Sequence, residues 1–357
     1  MASAPKGTGS LNAAPGARYA RIMGVGGYRP ERVITNEEVC TWIDSSDEWI
    51  RERSGIVSRR WAAPDETVVD MSEAAAKPAL EAAGVTPDQL SAVIVATVTH
   101  PYQTPAAAPL LATRLGANGV PAFDISAACA GYCHAISIAS DMVRGGSAER
   151  VLVIGVEKLS AFTDEHDRGT AFIFGDGAGA AVVGPSDHAA IGPTVWGSDG
   201  THWETIMQKE PWTDVRREWQ AEAAAQAPTS AIDPAKTYAA TSLAMAGPSV
   251  FRWAVWQMAP VAQQAIDAAG ITADDLDVFI PHQANMRIID AMIKQLKLPA
   301  DIPVARDIAE TGNTSAASIP LATERMLREG EAPHGGLALQ IGFGAGLAYA
   351  AQVVELP

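Results

Sequence analysis

Cys129 is the side chain whose type and setting could do nucleophilic chemistry, and His282 and Asn313, far from it in the chain, are further candidates. Cys129 sits in Phe123-Asp-Ile-Ser-Ala-Ala-Cys-Ala-Gly-Tyr132, where a short apolar strand runs through small residues into an alanine-rich helix. A sulfur at such a junction has backbone N–H groups and the positive end of a helix dipole beside it. Both favour thiolate over thiol, and thiolate is the form that attacks. Ala127, Ala128, Ala130 and Gly131 leave room for a substrate carbonyl. The other reading of this window is a buried structural cysteine. His282 lies in Ile280-Pro-His-Gln-Ala-Asn285-Met-Arg287, where a strand gives way to a helix, and Asn313 lies in Thr311-Gly-Asn-Thr-Ser-Ala-Ala-Ser318. Taken singly, a histidine after proline is more often a core or cap residue, and an asparagine after glycine a turn or N-cap.

The elements that must position these residues recur. Leu80-Glu-Ala-Ala-Gly-Val-Thr-Pro-Asp-Gln-Leu-Ser-Ala-Val-Ile-Val95 matches Ile266-Asp-Ala-Ala-Gly-Ile-Thr-Ala-Asp-Asp-Leu-Asp-Val-Phe-Ile-Pro281, an offset of 186 (270 − 84). Each copy reads as a helix end, a Gly stop, an Asp-rich turn and a buried strand. Further on, Ser126-Ala-Ala-Cys129 pairs with Ser315-Ala-Ala-Ser318, an offset of 189 (318 − 129). Strands alternate with helices of about 12–18 residues, which predicts an α/β protein whose two halves each build a mainly parallel sheet with helix cover. Face-to-face packing of the halves puts the site between them, with Cys129 from the first and His282 and Asn313 from the second. The halves span 21–200 and 241–357, after an N-terminal extension over 1–20 that reads as disordered. Residues 201–240, rich in Trp, charge and Ala, read as a surface excursion and candidate lid, or as a loop without a role.

The chain is 357 residues long, enough for two sizeable cores, and its formal net charge of −15 argues against generic nucleic-acid binding. The three cysteines, Cys40, Cys129 and Cys133, are too few and too odd for a disulfide scaffold and point to a reducing, cytoplasmic setting. Cys129 and Cys133 share a predicted helix, but no further ligand completes a metal site. No apolar run is long enough to span a membrane. Gly24-Val-Gly26-Gly27 and Gly342-Phe-Gly344-Ala-Gly346 lack the spacing of a dinucleotide fingerprint, so no cofactor is expected.

Six motifs in order, SSDEWIRERSGI, ISAACAG, DRGTAFIFGDGAGAAVV, IPHQANMRI, GNTSAAS and GFGAGL, resemble β-ketoacyl-acyl carrier protein synthase III, a condensing-enzyme family of the thiolase superfamily. The resemblance runs from about Arg21 to the end. It implies thiolase-like duplicated α/β halves in a layered αβαβα architecture, which agrees with the internal repeat. It implies a triad of Cys129, His282 and Asn313. Acyl-CoA would acylate Cys129, and malonyl-acyl carrier protein would lose carbon dioxide and attack the acyl-cysteine. His282 and Asn313 would donate hydrogen bonds to the enolate oxygen, and the backbone N–H groups of Cys129 and Ala345 would form the oxyanion hole. By the same resemblance Trp49, Arg53, Arg168 and Asn285 would bind CoA, itself a substrate, while Arg252, Arg287 and Lys294 would dock the acidic carrier protein. On their own, Trp49 and Arg53 read as one amphipathic helix, and Lys294 as part of a solvated face.

Two departures bear on substrate. Pro248 stands where the family often has Asn, removing a polar side chain and an N–H. Thr104 falls where the partner subunit of a family homodimer closes the acyl pocket, a position that is Phe in acetyl-preferring members. Thr is smaller, so branched or longer primers should fit. The motifs do not separate fatty acid from polyketide initiation. A second reading keeps the acyl-cysteine but passes the acyl group to a hydroxyl or amine. His282 with Asn313 favours condensation, since an acyltransferase needs a base more than paired oxyanion donors.

Overall fold

The computed structural model describes Asn12, residues 14–224 and 241–357, without the side chains of 219 and 221–224. Strand β1 (Tyr19–Tyr28) opens the first half, followed by a small antiparallel pair, β2 (Arg32–Thr35) and β3 (Ser58–Trp61), that encloses helices α1 (Asn36–Val39) and α2 (Asp47–Ser54). Helix α3 (Val68–Ala83), β4 (Ala92–Ala96), α4 (Ala107–Leu115), β5 (Ala122–Ile125), α5 (Gly131–Gly145), β6 (Val151–Lys158) and β7 (Asp176–Ser186) complete it. The second half holds β8 (Val195–Gly197), β9 (Ile206–Gln208), α6 (Trp212–Ala224), β10 (Leu243–Met245), α7 (Gly247–Ala269), β11 (Val278–Pro281) and α8 (Met286–Leu296). It ends with α9 (Ile308–Thr311), α10 (Ser318–Arg328), β12 (Leu337–Phe343) and β13 (Tyr349–Glu355).

Side-chain alternation along the strands builds five layers. In β4, Ala92 and Ile94 face inward to α5 and α10, while Val93 and Val95 face outward to α3 and α4. In β11, Val278 and Ile280 join the same central core, and Phe279 packs outward with α7 and α8. Two sheets thus sandwich α5 and α10, and each has a second pair of helices on its outer face. This is the αβαβα stack, and it puts the N-termini of α5 and α10 side by side between the sheets.

The duplication is visible element by element. A Thr67–Asp70 capping box starts α3, and α3 and α7 both stop at a left-handed glycine, Gly84 and Gly270. Helices α5 and α10 begin at Gly131 and Ser318, an offset of 187 (318 − 131), so by element the counterpart of Cys129 is Ala316 rather than Ser318. Two similar small-residue runs set that match two residues out of register.

The sheets are mixed rather than mainly parallel. The first runs β1-β7-β6-β4-β5 with only β4–β5 and β4–β6 parallel; the second runs β11-β12-β13-β8 with only β11–β12 parallel. No α-helix lies between β6 and β7 or between β12 and β13, so each pair turns back antiparallel. Strand β8 pairs with β13, so the chain has crossed to the second sheet before residue 200. Of the 1–20 extension, residues 1–11 and 13 lie outside the described residues. Its last part is ordered: the Ala17 N–H donates to Val143 O at 3.2 Å, and Tyr19 and Ala20 pair with β7. In the 201–240 tract, β9 pairs with β10 and α6 follows, while 225–240 lie outside the described residues. Among the described residues no helix is long and apolar enough to cross a membrane.

Candidate active site

One cavity of about 510 Å³ lies where the halves meet, and Cys129, His282 and Asn313 all line it. A short 3-10 turn, Ala128–Ala130, carries Cys129 onto the N-terminus of α5. The turn fits closely because a glycine faces it: a Cβ on Gly344 would lie 2.8 Å from both Sγ and Cβ of Cys129. Gly342 is equally close, its Cβ position 2.8 Å from the Cys129 carbonyl oxygen. The glycines of GFGAGL are therefore a matter of contact with the cysteine.

The electrostatics of the sulfur differ from the sequence expectation. Burial pushes the Cys129 thiol up to about 12, against hydrogen bonds from the Ser315 hydroxyl and its own N–H that favour thiolate. The Glu157 carboxylate adds to the rise. The helix end and these hydrogen bonds oppose that push, and Cys129 is itself only partly buried, open to the cavity.

His282 follows β11, its N–H bonded to Ile341 O at 2.8 Å and its ring edge-on to Phe343 at 5.3 Å. Burial alone pushes it down to about 3, so the imidazole is neutral at working pH. Nδ1 lies 2.8 Å from Ser318 Oγ at the start of α10. That oxygen also accepts the Gln283 N–H at 3.4 Å, and its own proton is free to go to Nδ1. With the serine donating, Nε2 carries the ring's N–H. Asn313 is fixed in the same sense, its Oδ1 accepting the Ser315 N–H at 2.8 Å, which leaves the amide NH₂ as the donor. Its backbone is stitched to the DRGTAFIFG segment, with the Asn313 N–H on Ile173 O at 2.9 Å and the Gly175 N–H on Asn313 O at 3.0 Å. A neutral imidazole N–H and an amide N–H suit an oxygen that acquires negative charge in a water-poor site.

Ala345 lines the same cavity, as do Trp49, Arg53, Asn285, Arg252 and Arg287. Trp49 and Arg53 share one face of α2, which starts on a Ser46 cap. The Arg168 guanidinium lies 4.7 Å over the Trp49 ring and its Nε donates to Asp44 O at 2.7 Å, so one face of the indole is covered by arginine. Asn285 caps α8 through the Arg287 N–H at 2.9 Å and clasps Arg53 O at 3.0 Å, so its amide is already engaged in holding α8 to α2. Arg287 lies over Phe251 at 5.0 Å, and Arg252 reaches Ser249 Oγ at 3.3 Å. Lys294 is exposed on α8, outside the cavity lining. Thr104 lies on an exposed loop between β4 and α4 and is likewise outside it. Pro248 lines the cavity in the first turn of α7, where its missing N–H costs the helix nothing.

Sequence reasoning missed Glu157, Ser315 and Ser318. Ser315 and Ser318 stood within a quoted motif but were read only as small residues. Glu157 ends an apolar strand and gave no signal beyond a charge at a predicted core position.

The sequence pattern described as 3-Oxoacyl-[acyl-carrier-protein (ACP)] synthase III matches residues 123–200, and that of its C terminal part matches 266–356. Beta-ketoacyl-[acyl-carrier-protein] synthase III of Streptomyces glaucescens is 59% identical over 349 residues, covering 97% of this chain and 99% of that protein. The protein of the same name from Mycobacteroides abscessus is 53% identical over 338 residues, covering 94% of each. The crystal structure of the priming beta-ketosynthase from the R1128 polyketide biosynthetic pathway superposes with a TM-score of 0.89 at 47% identity, covering 98% of this chain and 99% of that one. Both halves, the five-layer stack and near end-to-end similarity to these proteins agree, and this chain belongs to the β-ketoacyl-acyl carrier protein synthase III family.

Proposed function

We propose that this enzyme joins an acyl-CoA primer to malonyl-acyl carrier protein by decarboxylative Claisen condensation. The observation that carries this reading is the one cavity that the partly buried Cys129 thiol shares with His282 and Asn313, lined also by Arg53, Arg252 and Arg287. Cys129 attacks the thioester carbon, the oxyanion rests on the N–H groups of Cys129 and Ala345, and CoA leaves with the bonding pair. Malonyl-carrier protein then binds, and its carboxylate C–C bond breaks to release carbon dioxide. The electron pair moves into an enolate whose oxygen accepts from His282 Nε2 and Asn313 Nδ2. The enolate carbon attacks the acyl-cysteine, and Cys129 leaves as thiolate from the 3-oxoacyl product. Fixed neutral donors favour this over acyl transfer to a hydroxyl or amine, since His282, held near 3 by burial, is a poor base for such an acceptor.

Trp49, Arg53 and Arg168 take the CoA nucleotide, Arg168 moving off or sandwiching the base, and Asn285 orients the arm beyond it. Arg252, Arg287 and Lys294 meet the acidic carrier protein. The chain works as a homodimer in which Thr104 of one subunit bounds the acyl pocket of the other. The exposed Thr104 loop and the exposed side chains of Tyr102 and Leu110 beside it support that arrangement. No cofactor takes part, and three free cysteines support a reducing cytoplasm. The similarity to a polyketide priming enzyme supports starter selection as its place in metabolism. The test is a reconstitution with acyl-CoA and malonyl-carrier protein, read for carbon dioxide and 3-oxoacyl-carrier protein. Release of both supports condensation; acyl transfer to an added alcohol or amine without carbon dioxide supports the second reading instead.

A further inference from the structure

The backbone of Asn313 is paired on both sides with one short segment, through Ile173 O and the Gly175 N–H. What holds that segment is β3. Arg59 and Trp61 stand two apart on β3 and both turn inward, Arg59 with no exposure at all. The Arg59 guanidinium donates to Asn36 Oδ1 at 2.7 Å, Phe172 O at 2.9 Å and Ile34 O at 3.2 Å. Trp61 Nε1 donates to Phe174 O at 3.2 Å. The two carbonyls held in this way flank Ile173, the acceptor for the Asn313 N–H. The chain that leads into Asn313 is tied to the same edge: the Val57 N–H donates to Ala309 O at 2.7 Å and Ser58 Oγ to Glu310 O at 3.2 Å. The seam is tight, since a Cβ on Gly312 would lie 2.9 Å from both Arg59 Cβ and Ile173 O. Arg59 meets no carboxylate directly among the described residues; its Asn36 partner donates to Asp47 Oδ1 at 2.7 Å. Burial pulls the guanidinium down to about 10, so it stays charged at neutral pH. Packing alone would be served as well by an apolar side chain of similar volume. What the guanidinium adds is a planar fork that fixes several acceptors at once.

We infer that Arg59 and Trp61 are positioning residues for the enolate step: by fixing the carbonyls on either side of Ile173, they set where Asn313 presents its amide. The inference rests on the condensation proposed above. The Asn313 side chain is locked to its own turn by the Ser315 N–H on Oδ1, so a shift of the backbone carries the NH₂ group with it. A donor displaced by about 1 Å loses much of its hold on a developing oxyanion. Acylation draws on different elements. The Cys129 N–H belongs to the turn that starts α5 and the Ala345 N–H to the turn after β12, and neither residue bonds to β3. Loss of Arg59 or Trp61 therefore falls on decarboxylation and spares the attack of Cys129 on acyl-CoA.

The test measures carbon dioxide release from malonyl-carrier protein, and Cys129 acylation at saturating acyl-CoA, in Arg59→Lys and Trp61→Phe. Lysine keeps the charge but not the planar fork, and phenylalanine keeps a ring without the N–H. Each should cut carbon dioxide release by about 10-fold or more, with acylation within about twofold of wild type. Placed on Asn313→Ala, the same substitutions should cost no more than about twofold, because the group they position is gone. Far-UV circular dichroism and melting establish that each variant is folded. If Arg59→Lys does not fold, Trp61→Phe decides, since it removes one donor and leaves the buried cation in place. Wild-type carbon dioxide release, equal loss in both half-reactions, or undiminished loss on Asn313→Ala overturns the inference. Amide hydrogen exchange separates this question from the proposed function. If wild type acylates but releases no carbon dioxide, the condensation fails, and faster exchange of the Asn313 and Gly175 N–H groups in the variants still supports the positioning. Unchanged exchange there overturns it.

Discussion

Replacing Gly344 with alanine tests how closely the fold is built around the sulfur. The backbone at Gly344 is extended, with φ at −178°, so alanine adopts it without strain and the whole effect is steric. The new Cβ would stand 2.8 Å from Sγ and Cβ of Cys129 and 3.2 Å from its nitrogen. Non-bonded carbons settle at about 3.5–4.0 Å, so relief needs a displacement of about 1 Å. The turn cannot supply it freely, because Gly342 packs against the Cys129 carbonyl from the same strand end. Overpacking of this kind costs about 1–3 kcal/mol, and a 1 Å misplacement of a reacting atom about 10²-fold in rate. Acylation followed by intact-protein mass should therefore slow about 10²-fold in Gly344→Ala, with a lowered melting temperature. Gly145→Ala, at the other end of α5 with nothing within 4 Å of the new Cβ, is the control and should acylate normally. Wild-type acylation by Gly344→Ala would refute the steric argument.

Other predictions follow from the same geometry. His282→Ala and Asn313→Ala should each cut decarboxylation of malonyl-carrier protein by about 10²–10³ while Cys129 still acylates; parallel loss of both half-reactions would contradict their role as enolate donors. His282 also sets an acid limit on stability. Its folded value of about 3 lies below the unfolded 6.5, so between those values the unfolded chain binds the extra proton and stability falls as pH falls. Denaturant unfolding at pH 8 and pH 4.5 should show His282→Ala gaining about 3 kcal/mol on wild type at the lower pH, and equal differences at both would contradict the buried neutral ring. Arg287→Glu should slow condensation with carrier-protein substrate and spare acylation by acyl-CoA; equal loss in both would remove the docking role.

Much of this site was legible in the sequence because it lies at element boundaries that leave marks. Gly84 and Gly270 show as helix stops because only a left-handed glycine closes both helices at no steric cost. Cys129, His282 and Asn313 stand where a strand or loop meets a helix, and the duplication places those junctions together. What the sequence could not show is the balance of environments. The helix end at Cys129 is readable from its window, but the packing around the sulfur comes from GFGAGL and GNTSAAS, about 200 residues away. Glu157 is invisible for the same reason, since its partners come from the loop after β4 and from the turn before α10. Sheet direction was misjudged because alternating strands and helices predict parallel pairing, whereas β7 and β13 follow connections without an α-helix. Thr104 stays outside the cavity of its own chain.

The most direct test of the central claim is the mass of the intact protein after incubation with a panel of acyl-CoAs, beside Cys129→Ala, and again after malonyl-carrier protein. The account predicts one acyl adduct on wild type, none on Cys129→Ala, and discharge of the adduct as 3-oxoacyl-carrier protein. An adduct that persists in Cys129→Ala, or one that malonyl-carrier protein leaves in place, would contradict it.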